Sequence, residues 1–93
     1  MDLGIAGKAA LVTGASMGIG RGIALKLASE GVRLAVMARR RNLLDELAKE
    51  IVAKGGAQPV IIECNFLDEG AADAVAKQAL AGLGGVDILV NNA

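Results

Sequence analysis

The sequence contains no histidine, tyrosine or tryptophan, and its 93 residues include a single cysteine, a single proline and a single phenylalanine. One cysteine cannot form an intramolecular disulfide, which excludes a disulfide-stapled secreted scaffold. Without histidine or a second cysteine, the chain lacks the usual ligand set of a zinc site. An enzyme that transfers protons through tyrosine or histidine cannot be complete within these residues.

An excess of charge of one sign is also lacking, because ten Lys and Arg residues balance ten Asp and Glu residues. Neutral balance gives no general attraction to phosphate, which argues against nucleic-acid binding. Apolar residues make up 54% of the chain, too many for a disordered segment. No uncharged apolar run approaches the roughly 20 residues of a membrane span, and the N-terminus does not read as a signal peptide. We expect one folded domain in the cytoplasm, without a membrane partner.

Glycine is abundant, with 13 residues, although it lowers the stability of helices and strands. The glycines separate short β-like runs from longer amphipathic segments, which predicts the order β-α-β-α-β-α-β. This alternation favours an α/β fold with a parallel sheet, and right-handed crossovers favour strand order 3-2-1-4. The predicted architecture is the first half of a Rossmann-type doubly wound sheet. The predicted strands are 8–13, 33–37, 58–63 and 86–90, and the predicted helices are 21–30, 42–54 and about 68 or 73 to 83.

Capping residues set the expected helix ends. Asn42 is predicted to cap the second helix, and Asp68 or Asp73 the third. Gly31 is predicted to adopt the left-handed conformation that ends many helices. The inward face of the third helix is predicted to consist of Ala72, Val75, Ala76, Ala79 and Leu80.

The most informative segment is the turn at residues 13–20, which reads Thr-Gly-Ala-Ser-Met-Gly-Ile-Gly between the first strand and the first helix. Such a turn brings backbone N–H groups to the positive end of a helix, an arrangement that suits a pyrophosphate. In this scheme Gly14 makes the tight turn, Gly18 admits the pyrophosphate and Gly20 allows close helix packing. The spacing is G-x-x-x-G-x-G, not the commoner G-x-G-x-x-G. The alternative is a glycine-rich turn that binds no ligand.

This loop, together with the Asn91-Asn92-Ala93 segment, resembles the short-chain dehydrogenase/reductase family, whose motifs are T-G-x-x-x-G-x-G and N-N-A-G. The resemblance covers the whole chain and is strongest to the 3-oxoacyl-[acyl-carrier-protein] reductase-like group. It implies a dinucleotide cofactor, with Thr13 bracing the loop against the Asn-Asn-Ala segment. The residues that it places against the cofactor are Gly14, Ser16, Gly18, Ile19, Gly20, Asn91 and Ala93.

Several nearby residues carry a second interpretation. Met17 belongs to the same loop as a candidate cofactor contact, with a packing or surface position as the alternative. The family usually has Asp after the third strand to accept from the adenine amino group. The matching residue here is Asn65, whose amide oxygen can still accept. Asp68 is interpreted as a helix cap rather than an adenine contact. Asn91 has a structural alternative, because amides at a strand end also satisfy backbone groups.

The residues after the second strand bear on the choice of cofactor. Folds that bind NAD place an acidic residue there, which accepts from the ribose 2′-hydroxyl, whereas an arginine accommodates the 2′-phosphate of NADP. Here the strand is followed by Arg39, Arg40 and Arg41, and guanidinium groups bind phosphate through charge-assisted hydrogen bonds. We predict NADP rather than NAD, with Arg39 as the main contact and Arg40 as support. A solvated basic turn is the alternative. Cys64, at the end of the third strand, is interpreted as a small buried apolar side chain.

The family's catalytic Ser, Tyr-x-x-x-Lys pair and helix-borne Asn all follow N-N-A-G, so the resemblance places none of them in this chain. We expect residues 1–93 to be the N-terminal part of one dinucleotide-binding domain, truncated after the fourth strand and without turnover of its own. The intact parent is expected to transfer hydride between NADP(H) and a carbonyl or alcohol substrate. An exposed edge strand favours self-association, so a homo-oligomer is expected. A non-catalytic nucleotide-binding module and a structural fragment are the alternatives.

Overall fold

Four parallel strands form a sheet in the order β3-β2-β1-β4, in a computed structural model that describes residues 4–65 and 67–92. The predicted fold class and strand order are confirmed. In the described part no helix has the length and apolar character needed to cross a membrane. The elements are β1 (Ala9–Thr13), α1 (Gly18–Ser29), β2 (Arg33–Ala38), α2 (Arg41–Ala53), β3 (Val60–Glu63), α3 (Ala71–Leu83) and β4 (Ile88–Asn91).

Strand β1 lies in the interior of the sheet and all of its residues are buried. Its side chains alternate between two apolar clusters, as the two-residue period of a strand requires. Ala10 and Val12 join the cluster on one face, and Ala9 and Leu11 join the cluster on the other. A strand that is buried on both faces reads as a continuous apolar run, which is why this segment is predictable.

The two clusters hold the helices against the sheet. Helices α1 and α2 cover one face, where Leu44, Leu47 and Ile51 of α2 are at most 2% exposed. Helix α3 covers the other face through Val75, Ala79 and Leu83. Full burial of an aliphatic side chain of this size stabilises a fold by about 1.5–3 kcal/mol. Burial of these faces fixes the position of every helix relative to the strand ends.

The expected helix caps are wrong in two helices. Helix α2 begins one residue before Asn42, because the Arg40 carbonyl accepts the Leu44 N–H at 3.3 Å and makes Arg40 the N-cap. Helix α3 follows Gly70, whose φ of 75° lies in the left-handed region. Asp73 falls inside the first turn, and Asp68 lies two residues before the cap. Backbone geometry therefore sets both starts without a side-chain cap.

The predicted end of α1 is confirmed, whereas β4 begins later than predicted. Gly31 follows α1 with a φ of 82°, as expected for a residue that ends a helix. Strand β4 begins at Ile88, two residues after the predicted start. Asp87 instead forms a reciprocal pair with Ala9, donating its N–H to the Ala9 carbonyl at 2.8 Å and accepting the Ala9 N–H on Oδ2 at 2.9 Å. This pair aligns β4 with β1.

The buried face of α3 is displaced from the predicted one. Its buried residues recur at every fourth position, whereas the predicted Ala72, Ala76 and Leu80 are exposed. An alanine-rich helix carries little size contrast around its axis, so the pattern alone does not fix the face. The buried residues of α3 are Ala71, Val75, Ala79 and Leu83.

Helix α3 packs closely against β3 at Gly82. A Cβ added at this position would lie 2.5 Å from Val60 Cγ2, closer than two carbon atoms pack. We expect Gly82→Ala to lower the free energy of unfolding by about 1–3 kcal/mol, because the β-branched Val60 has little freedom to yield. Chemical unfolding followed by circular dichroism measures the change.

The matched control is Gly22→Ala in α1, where the added methyl meets no described atom within 4 Å. Alanine favours a helix over glycine by about 0.8–1 kcal/mol, so this variant is expected to be more stable than the parent. If both substitutions change the free energy of unfolding equally, the close packing described at Gly82 is contradicted.

Candidate functional site

A cavity of about 490 Å³ opens at the carboxyl ends of β1, β2 and β3. In an open parallel sheet, this is the edge at which ligands bind. Three connections meet here, because every strand of the sheet points its carboxyl end toward the same edge. The cavity is lined by Gly14, Ser16, Met17, Met37, Ala38, Arg39, Arg40, Cys64, Asn65, Leu67 and Asn92.

The β1–α1 loop forms one wall and depends on two close contacts. Gly14 has a φ of 63°, and a Cβ there would collide with the Asn92 carbonyl oxygen. A Cβ on Gly20 would collide with the Gly14 carbonyl oxygen. Asn92 also donates from Nδ2 to that Gly14 oxygen at 3.3 Å. Glycine at both positions therefore allows the loop, the first turn of α1 and the segment after β4 to touch.

Thr13 joins the loop to β4 from the other side. Its hydroxyl oxygen accepts the Asn92 backbone N–H at 3.1 Å. The hydroxyl donates to the Asn91 Oδ1, with 3.1 Å between the two oxygens, and the Val90 carbonyl oxygen at 3.3 Å is a second acceptor. Thr13 is 2% exposed, so these bonds hold a buried polar group. The expected bracing of the loop by Thr13 is present for Asn91 and Asn92.

The first turn of α1 differs from the expected helix start. The helix begins at Gly18, three residues earlier, and Arg21 donates its backbone N–H to the Met17 carbonyl at 3.4 Å. Met17 is the N-cap and makes no side-chain capping bond. No acidic residue occupies the first turn, so the positive end of the helix is not neutralised there. The amide groups of this turn are suited to an anion.

The opposite wall carries two arginines. Arg39 follows β2 directly and Arg40 caps α2, and both side chains are exposed. Arg41 is distinct, because it lies in α2, 3.8 Å from the Asp45 carboxylate, and does not line the cavity. Among the residues that the structure describes, no Asp or Glu lines the cavity. This wall therefore presents positive charge without a carboxylate beside it.

Residues after β3 close the third side. Cys64 donates its backbone N–H to the Ala38 carbonyl at 3.0 Å, which continues the β2–β3 pairing. Its side chain is half-buried against the second cluster and also lines the cavity, so it is not fully buried as expected. Asn65 turns its Oδ1 toward the Leu67 backbone N–H at 3.0 Å. Leu67 is 88% exposed and adds apolar surface to the rim.

The structure brings most of the predicted site residues together. Gly14, Ser16, Met17, Arg39, Arg40 and Asn65 share one cavity. The others lie outside its lining. Gly18 and Ile19 are exposed in the first turn of α1, and Gly20 is buried beneath them. Asn91 lies at the end of β4 and contacts Thr13. Ala93 lies outside the described residues.

Asn92 and Leu67 line the cavity but were not among the predicted contacts. The Asn-Asn pair at the end of β4 was a sufficient signal for Asn92, because both residues follow a strand that points to the site. Leu67 had no comparable signal, since a single apolar residue in a loop does not indicate a ligand.

Comparisons with known proteins identify relatives of this chain. It is 43% identical over 93 residues to the L-xylulose reductase of Mus musculus, covering 100% of this chain and 34% of the relative. It is 45% identical over 87 residues to the 3-oxoacyl-[acyl-carrier-protein] reductase FabG of Staphylococcus aureus, covering 92% of this chain and 35% of that protein. The chain thus spans about a third of the length of these relatives.

Solved structures give the same relationship. The L-sorbose reductase of Gluconobacter frateurii, solved in complex with NADPH and L-sorbose, superposes with a TM-score of 0.93 at 40% identity. The match covers 100% of this chain and 35% of that one. The sequence model described as short chain dehydrogenase matches residues 8–93. The chain belongs to the short-chain dehydrogenase/reductase family.

Proposed function

We propose that this chain supplies the NADP(H)-binding part of an oxidoreductase that transfers hydride between NADP(H) and a carbonyl or alcohol substrate. The observation that carries the proposal is the charge of the cavity. Its described lining contains Arg39 and Arg40 and no carboxylate. A carboxylate at this wall repels a ribose 2′-phosphate, whereas a guanidinium binds it. The NADPH complex of the related L-sorbose reductase supports the same cofactor.

The residues present fit a dinucleotide. Gly18 has a φ of 62°, and the position of a Cβ there meets no described atom within 4 Å. No described atom therefore blocks the surface of the first turn of α1 at Gly18. The uncapped amides of that turn provide hydrogen-bond donors for its oxygens. Between this turn and the arginine wall, the cavity offers room for the adenosine.

Each part of the site has a separate task in this proposal. The loop amides hold the pyrophosphate, Arg39 binds the 2′-phosphate and Arg40 supports it. The Thr13 and Asn92 bonds keep the loop in position. When bound, the nicotinamide ring supplies or accepts the hydride. The chain has no tyrosine and no histidine, so a tyrosine or histidine that transfers the proton of such a reaction is not among these residues.

The cofactor preference is tested by Arg39→Ala. We expect about tenfold weaker NADPH binding in calorimetric titration, because one charge-assisted contact to phosphate is lost. NADH binding is expected to change less than about twofold, since NADH has no 2′-phosphate. Arg41→Ala removes the same charge outside the cavity and is the control. An equal loss of NADPH affinity in both variants contradicts a specific role for Arg39.

The loop is tested by Gly18→Ala. The methyl group enters the space above the helix N-terminus, and alanine at a positive φ costs about 1–2 kcal/mol. We expect the affinity for NADPH and for NADH to fall together by at least about tenfold, because both carry the pyrophosphate. Gly22→Ala, one turn later in α1, should leave both affinities unchanged. Retention of binding in Gly18→Ala places the pyrophosphate elsewhere.

The expectation that the chain has no turnover of its own is tested by an activity assay. The purified chain, mixed with NADPH and an aldehyde or ketone, is expected to show no oxidation of NADPH above the rate without protein. Absorbance of the reduced nicotinamide measures the rate. Turnover that follows protein concentration shows that residues within this chain complete the active site.

A further inference from the structure

Met17 is an exposed methionine in the wall of the cavity. The residue is 59% exposed, whereas Met37, which lines the same cavity, is 3% exposed and packs in the apolar cluster beneath α3. A thioether is oxidised to a sulfoxide when a peroxide reaches its sulfur, and the change turns an apolar side chain into a polar one. Met17 is therefore open to this reaction in the folded chain, and burial protects Met37 from it.

The position of Met17 gives its oxidation a consequence. Met17 is the N-cap of α1, the position from which a side-chain oxygen accepts the N–H of the second or third helical residue. In the described part of the chain its thioether makes no such bond, and no acidic residue lies in the first turn. A thioether sulfur is only a weak acceptor. The amides of this turn are thus left to a ligand while the sulfur is a thioether.

Reaction with hydrogen peroxide supplies the missing acceptor. The sulfur lone pair attacks one oxygen of the peroxide, so that an S–O bond forms and the O–O bond breaks. The other oxygen leaves as hydroxide, takes the proton of the first oxygen and becomes water. The sulfur is oxidised by two electrons, and the peroxide is reduced by the same two. The product carries a polar oxygen on a flexible side chain beside the first turn of α1.

We infer that Met17 is a peroxide-sensitive modification site, at which formation of the sulfoxide weakens the binding of a dinucleotide. The sulfoxide oxygen competes with the pyrophosphate for the amides at the start of α1. Methionine sulfoxide reductases return the sulfoxide to the thioether, so the effect is reversible. The inference rests on the proposed NADP(H) site and adds a chemical modification that controls it.

The first measurement locates the oxidation. The purified chain is treated with hydrogen peroxide, the reaction is stopped with catalase, and peptide mass spectrometry follows the gain of oxygen at residues 17 and 37. We expect residue 17 to be oxidised at least about tenfold faster than residue 37, because Met37 reacts only when the cluster around it opens. Equal rates at the two positions overturn the inference.

The second measurement gives the effect on binding. The oxidised chain is first treated with a thiol reductant, which reverses a sulfenic acid or disulfide at Cys64 and leaves a methionine sulfoxide in place. In calorimetric titration we expect NADPH and NADH each to bind about fivefold more weakly than before oxidation, because both carry the pyrophosphate and a capping bond is worth about that factor. Methionine sulfoxide reductases are expected to restore the original affinity.

The matched control is Met17→Leu, which keeps an apolar side chain of similar size without an oxidisable sulfur. The variant retains the other methionines and Cys64. The readout is the ratio of the dissociation constants after and before peroxide in each protein, so any effect of leucine on binding itself cancels. We expect a ratio of about five in the parent chain and about one in the variant.

The outcomes separate this inference from the proposed function. Unchanged affinity of a parent chain that is oxidised at residue 17 overturns the inference alone, as does an equal loss of affinity in Met17→Leu. A loss that the sulfoxide reductases do not reverse has the same meaning. Failure of the unoxidised parent chain to bind either nucleotide overturns the proposed function, and the inference with it.

Discussion

The close contact between the ends of β1 and β4 is the constraint on which the site depends. Asn92 lies against Gly14, and Gly14 lies against Gly20, at distances that leave no room for a side chain at either glycine. The Thr13 hydroxyl, at the end of β1, is bonded to Asn91 and Asn92 at the end of β4. Because the turn, the start of α1 and the end of β4 touch, the helix N-terminus lies directly beside the carboxyl edge of the sheet. A looser packing there moves the amides of the first turn of α1 away from the cavity.

Electrostatic asymmetry follows from that placement. The positive end of α1 has no acidic residue in its first turn, and the opposite wall carries Arg39 and Arg40. The balanced charge of the chain hides this asymmetry, because no acidic residue that the structure describes lines the cavity. Some of them pair with basic side chains elsewhere, as in the Arg21–Glu50 pair at 2.7 Å and the Arg41–Asp45 pair at 3.8 Å. Overall charge therefore excludes a broad attraction to anions without excluding a local anion site.

The accuracy of the sequence predictions varied with the size contrast of the side chains. Strand β1 was predicted because its apolar residues form one continuous run. The inward face of α3 was not, since several alanines on its surface are nearly equal in size. Caps were the least predictable feature, because a backbone carbonyl and a left-handed glycine start the helices where Asn42 and Asp73 were expected to do so.

The sequence by itself determined the α/β class, the strand order and the loop that marks the cofactor edge, because hydrophobic period and glycine spacing are local properties of the chain. It also identified Arg39 and Arg40 as candidates, since both follow a predicted strand, while Asn65 became a candidate through the resemblance to the family. Only the tertiary structure decided which of the candidates share a cavity, and that Asn92 joins them from a strand 78 residues away from Gly14. Only the structure showed that the Asn65 Oδ1 accepts the backbone N–H of Leu67. The direction of a hydrogen bond depends on which neighbours folding brings together, and the identity of a residue alone does not determine it.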